Sequence, residues 1–129
     1  MKEGPLVSVI IPAYNAQKYI REALDSVLAQ TYSSFEIIVV EDSSTDDTAK
    51  IIKSYIDPRV KFVHQEKKGQ TAARDEGMRR ASGKYLAFLD ADDVYLPQKL
   101  ERQVGYMEAH PECGLCYCDL YHFFADTPD

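Results

Sequence analysis

Tyr85-Leu86-Ala87-Phe88-Leu89-Asp90-Ala91-Asp92-Asp93 is the stretch of this 129-residue chain that decides its fold. An apolar run this short suits a buried strand better than a helix, which needs about 10–12 residues. Three carboxylates follow the run with no spacer. Two acids one residue apart on a tight turn can both face one oxygen-preferring cation. Mg²⁺ or Mn²⁺ favours such ligands and keeps positions open for water and phosphate oxygens. Taken alone, the same tetrapeptide is equally an Asp-rich turn ahead of the helix that Pro97 is expected to open, so its surroundings decide between the two readings.

Upstream, residues 71–81 carry helical spacing in Ala73, Gly77, Met78 and Ala81, with Gly83 where a left-handed C-cap is expected. Residues 60–63 read as a strand leading into a polar turn through Lys67, Lys68 and Gly69. Residues 35–40 are a second strand, which ends at Glu41 and Asp42. Ser44, three residues before Asp47, is expected to start the next helix, with Ala49, Ile52, Tyr55 and Ile56 on its buried face and Asp57-Pro58 closing it. The first strand spans residues 6–11 and is expected to stop at Pro12. Ile20, Ala23, Leu24, Val27 and Leu28 then give residues 18–30 an amphipathic stripe. Downstream, Pro97 reads as the first residue of a helix with Leu100, Val104 and Met107 inward. Residues 115–118 are expected to add a fifth strand. Strands alternating with helices at this spacing predict an α/β fold, a mainly parallel sheet with helices on both faces, as a single domain over residues 1–129.

In an open parallel sheet, ligands bind beyond the carboxyl ends of the strands. Pro12-Ala13-Tyr14-Asn15, Glu41-Asp42 and Asp90 to Asp93 all stand at such ends and so share one edge. Carboxylates gathered there repel one another unless a cation or hydrogen-bond donors intervene. The net charge of −6 argues against nucleic acid as a partner, because phosphate neutralisation needs a basic footprint. An acidic protein handling a phosphorylated ligand needs a local offset, and a divalent metal is the simplest one. Asp42 can accept a ligand N–H or merely form an Asx turn. Tyr14 can stack on a base or cover the sheet end. Arg74, early in its helix, can reach a phosphate or pair with a surface carboxylate.

The three cysteines, Cys113, Cys116 and Cys118, are an odd number in an otherwise Cys-free chain and make a poor disulfide framework. They are expected as buried thiols on the fifth strand. No apolar run approaches the roughly 18–20 residues that span a bilayer, and the N-terminus lacks the apolar core of a secretory signal. The expected location is cytoplasmic, at the inner face of the membrane for a longer parent.

Together the segments resemble the family 2 glycosyltransferases, inverting enzymes of the Rossmann-like GT-A fold. Residues 8–15 are similar to the family's opening strand and loop. Residues 35–46 resemble its second-strand motif, with Glu41 in place of the first Asp and Ser43 in place of the usual Gly or Asn. Gly69 with Ala73 to Gly77 resembles its Gly…Ala-Arg-Asn segment, with Asp75 for Asn. Residues 83–93 match its metal-binding DXD segment. The resemblance implies that Pro12, Ala13 and Tyr14 line the nucleoside pocket. It puts Asp42 at the base, Arg74 near base or phosphates, Asp90 near ribose and sugar, Glu41 and Ala91 among the residues that bind the nucleotide sugar, and Asp92, with Asp90, on Mn²⁺ or Mg²⁺. It implies a hexosyltransferase of polysaccharide biosynthesis. The donor would be a nucleotide-diphosphate sugar, UDP-linked by preference, and the acceptor a glycan or lipid-linked molecule.

The family's general base comes after the DXD strand, and no motif here supplies one. The chain therefore reads as the donor-binding part of a longer enzyme, expected to self-associate through uncovered apolar surface. A non-catalytic module that binds nucleotide sugar or a partner is the alternative. A phospho-receiver domain would need acids after the first strand, and a nucleotidyltransferase a Gly-rich phosphate loop. Neither is present.

Overall fold

The computed structural model describes residues 3–121 and contains β1 (Val7–Ala13), α1 (Ile20–Leu28), β2 (Phe35–Glu41), α2 (Thr48–Lys53), β3 (Val60–His64), α3 (Gln70–Arg80), β4 (Tyr85–Phe88) and α4 (Lys99–Ala109). The strands form one parallel sheet in the order β3-β2-β1-β4. β1 and β2 lie inside it and are buried along their whole length, which is why they read as mostly apolar runs rather than alternating ones.

Helices cover both faces. α1 buries Ile20, Ala23, Leu24 and Val27 against Val7, Val9, Ile11, Ile37 and Val39, and Ile52 of α2 and Leu100 and Val104 of α4 join the same cluster. The opposite face packs Ile38, Val40 and Val63 against Ala73 of α3. α3 comes so close that a Cβ on Gly77 would lie 2.5 Å from Cγ2 of Ile10. A buried polar knot ties the far end of the sheet: Ser8 Oγ and Ser82 N donate to Glu36 Oε1, each at 2.8 Å, and Lys61 Nζ donates to Oε2 at 2.7 Å.

Several local expectations need correction. β1 continues through Pro12 to Ala13, because β4 pairs with β1 only as far as Ile10↔Phe88 and no ladder bond is demanded of the proline on that side. α2 begins at Thr48 and ends at Lys53, so Ile56 lies outside it and is 97% exposed. Asp46, not Ser44, holds its start, accepting from Thr48 N at 3.0 Å. Met78 is exposed. Gly83 has no left-handed φ; a Cβ there would lie 2.7 Å from Ser8 N, so close approach is what requires glycine. α4 starts at Lys99, two residues after Pro97, with the buried Gln30 Oε1 accepting from Leu100 N at 3.0 Å. Residues 115–118 form no strand, and Leu115 and Tyr117 stay exposed. The thiols are correspondingly not buried: Cys113 and Cys116 are half-buried and Cys118 is exposed. β propensity alone left this segment without a neighbour to pair with.

Candidate functional site

Parallel strands deliver all their carboxyl ends to one edge of the sheet, and a cleft of about 610 Å³ opens there. Pro12, Ala13, Tyr14, Asp42, Asp90, Ala91 and Asp92 all line it. Three separately read segments therefore meet in one concavity.

The floor is a lattice between the loops after β1 and β2. Asn15 N donates to Ser44 Oγ at 3.0 Å, and Asn15 Oδ1 accepts from Thr45 N at 2.8 Å. Ala16 N donates to Thr48 Oγ1 at 2.8 Å. The loops turn sharply enough to place Asn15 and Ser43 at φ of 46° and 57°, a region L side chains seldom adopt. Ser43 sits where the resembling family has Gly or Asn, residues that reach this region at less cost.

Asp42 is 4% exposed, not on the rim. Its Oδ1 accepts from Gln65 Nε2 at 2.9 Å and Lys68 N at 2.8 Å, and its Oδ2 accepts from Gly69 N at 3.0 Å. Burial alone would raise this carboxyl, but those hydrogen bonds and the nearby Lys67 charge outweigh it and hold it below its ordinary value. The anion thus fixes the β3–α3 turn, in which Gly69 takes a φ of 92°. A carboxylate has about four lone-pair sites, so one on Oδ2 remains for a ligand.

Glu41 does not line the cleft. Successive strand side chains point to opposite sides, so Glu41 and Asp42 do not share a direction. Glu41 is buried, with Oε1 2.8 Å from His64 Nδ1 and Oε2 accepting from Ser44 N. Arg74 is not among the lining residues either; its Nη2 donates to Asp90 Oδ1 at 3.1 Å. Gln70 Nε2 donates to the same oxygen at 3.1 Å.

Asp90, Asp92 and Asp93 each offer a carboxylate oxygen, and all of these lie within 4.8 Å of one another. Asp93 N donates to Asp90 O at 3.0 Å, closing the tight turn that gathers them. Hard oxygen donors grouped this closely fit Mg²⁺ or Mn²⁺. Arg74 and Gln70 both occupy Oδ1 of Asp90, so its Oδ2 is the less encumbered oxygen.

Sequence reasoning missed Tyr19, Lys67 and Gln70 as lining residues. Lys67 Nζ donates to Tyr14 Oη at 2.9 Å and sits 4.5 Å from the Tyr14 ring centroid. Its place in a polar turn after a strand was the available signal. Among the described residues, no helix is long and apolar enough to cross a membrane.

Residues 8–128 match the sequence profile of Glycosyl transferase family 2. The chain is 42% identical over 103 residues to UDP-Glc:alpha-D-GlcNAc-diphosphoundecaprenol beta-1,3-glucosyltransferase WfgD of Escherichia coli, a match covering 79% of this chain and 41% of the relative. It superposes on S. aureus TarS 1-349 in complex with UDP-GlcNAc with a TM-score of 0.76 and 32% identity, covering 81% of this chain and 32% of that one. It also superposes on the mannosyltransferase PcManGT of Pyrobaculum calidifontis, in complex with GDP-Man and Mn²⁺, with a TM-score of 0.71 and 29% identity over 80% of this chain and 32% of that one. The chain thus spans less than half the length of these relatives.

Proposed function

This chain belongs to glycosyl transferase family 2, and from that premise we propose that its cleft binds the nucleotide-diphosphate sugar donor of an inverting sugar transfer. One observation carries the reading: a buried, hydrogen-bonded Asp42 and two members, Asp90 and Asp92, of a three-carboxylate turn line a single cleft at the strand ends. Asp42 takes an N–H of the base on its remaining lone pair. Tyr14, 43% exposed, offers a ring for the base to stack on. Asp90, fixed through Oδ1 by Arg74 and Gln70, presents Oδ2 to ribose or sugar hydroxyls. Asp92, with Asp90 or Asp93, holds Mn²⁺ or Mg²⁺. That metal, when bound, supplies positive charge to the leaving diphosphate. A UDP-sugar is the proposed donor, because a uracil ring offers one N–H to the single acceptor site left on Asp42, whereas guanine offers two adjacent ones.

An inverting displacement also needs a base to take the acceptor's proton. We place that base, and the glycan or lipid-linked acceptor's site, in sequence beyond these 129 residues. Calorimetric titration of the chain with a panel of nucleoside diphosphates, with and without Mn²⁺, tests the donor reading. Tight binding of uridine diphosphate only with metal is the expected result. No binding of any nucleoside diphosphate, with the chain folded, would refute it.

A further inference from the structure

Among the described residues, Lys67 is the one cation lining an otherwise acidic cleft. It does not point idly into solvent: its ammonium donates to Tyr14 Oη at 2.9 Å and lies over the same ring. Its backbone is set by the turn that Asp42 anchors through the N–H groups of Lys68 and Gly69. The sheet order then decides which part of a ligand it meets. Lys67 follows β3, Asp42 follows β2, Tyr14 follows β1, and the carboxylate turn follows β4. The Lys67 backbone is thus held beside the carboxylate that would meet the base, through Lys68 N and Gly69 N on Asp42, and its ammonium rests on the ring that would stack on that base.

We propose that Lys67 is a specificity-determining residue at the base end of this cleft, its ammonium donating to the uracil O4 carbonyl beside the N–H that Asp42 accepts. The inference rests on the donor-binding reading above. An ammonium is a donor only. It complements uracil, whose ring N–H is flanked by carbonyls. It opposes cytosine, where an amino group replaces one carbonyl and an acceptor nitrogen replaces the N–H. Seated on Tyr14, Lys67 also keeps that ring in place as a stacking platform, so one side chain ties the two contacts together.

The experiment titrates the 129-residue chain with uridine diphosphate and cytidine diphosphate in the presence of Mn²⁺, comparing the unmodified protein with Lys67→Met and Lys67→Arg. Lys67 is exposed, so both variants are expected to fold, and thermal melts verify it. Lys67→Met should weaken uridine diphosphate about tenfold or more, the loss expected for one charge-assisted hydrogen bond. Cytidine diphosphate should change far less, so the preference between the two narrows. Lys67→Arg should retain most of the preference. Equal losses for both ligands would put the ammonium on a group they share, the phosphates or the O2 carbonyl, and no loss would leave it a surface contact of Tyr14; either overturns the inference while the donor reading stands. Absence of binding to the unmodified protein would overturn both.

Discussion

Asp42→Ala tests whether this carboxylate is part of the scaffold as well as of the site. The unmodified side chain is 4% exposed and accepts hydrogen bonds at 2.8, 2.9 and 3.0 Å from two backbone N–H groups and one side-chain amide. Hydrogen bonds to a charged group contribute about 1.5–3 kcal/mol each, and three on one anion do not add independently. A loss of about 2–4 kcal/mol is therefore expected, which lowers Tm by about 8–15 °C in a domain of this size. The pH dependence supplies a second check. The carboxyl is held low in the folded protein, so its stabilisation is full above its unfolded value near pH 4 and is lost as pH falls through the folded value. Melts of the two proteins should differ most at neutral pH and converge in acid. Nucleotide affinity is then measured by calorimetry well below the variant's Tm, where a further loss reports the ligand contact. A melt at pH 7 indistinguishable from the unmodified protein's would refute the structural half of this reasoning.

Other predictions follow from the same geometry. Asp92→Asn should abolish the gain in nucleoside-diphosphate affinity that Mn²⁺ provides while leaving Tm close to that of the unmodified protein, since Asp92 is exposed; unchanged metal dependence would remove it from the cation site. Gly77→Ala should destabilise by about 1–2 kcal/mol, because a Cβ 2.5 Å from the buried Ile10 Cγ2 overpacks the α3 interface by more than alanine's helix propensity returns. A higher Tm in urea or heat melts would show that α3 shifts freely. The 129-residue chain, given a parent-type acceptor, should bind donor but transfer sugar at a trace rate; transfer comparable to that of a full-length relative would locate the base here, with Asp93 and Asp119 the first carboxylates to replace.

The fold was legible where a strand's own residues carried the information. β1 and β2 are buried on both faces, and continuous runs such as Val39-Val40 announce that directly. Strand order was less accessible, yet the site did not depend on it: any parallel sheet sends Tyr14, Asp42 and Asp90 to one edge. What failed were readings that needed a partner the local sequence does not name. Residues 115–118 have strand composition and pair with no strand among the described residues. Gly83 has the place of a C-cap, but its constraint is the neighbouring Ser8 backbone.

The geometry of the candidate site likewise depends on partners that the local sequence does not name. Glu41 and Asp42 are adjacent acids at a strand end, and motif reading assigned both to the ligand. The pleat allows only one of them, and the structure turns Glu41 toward His64 and Ser44, where it braces the loop from below. Arg74 was read as reaching a phosphate or pairing with a carboxylate, and the structure shows it donating to Asp90 Oδ1. Lys67 looked like solvent-facing turn, and only the fold brings it across to Tyr14, 53 residues earlier in the chain. In each case the residue type was visible, while its partner came from a different strand end. The chemistry of this cleft therefore lies in pairs across strands — Asp42 with the β3–α3 turn, Asp90 with α3, Tyr14 with Lys67 — and a change that spares every motif residue but shifts α3 against the sheet should disturb all three pairs together.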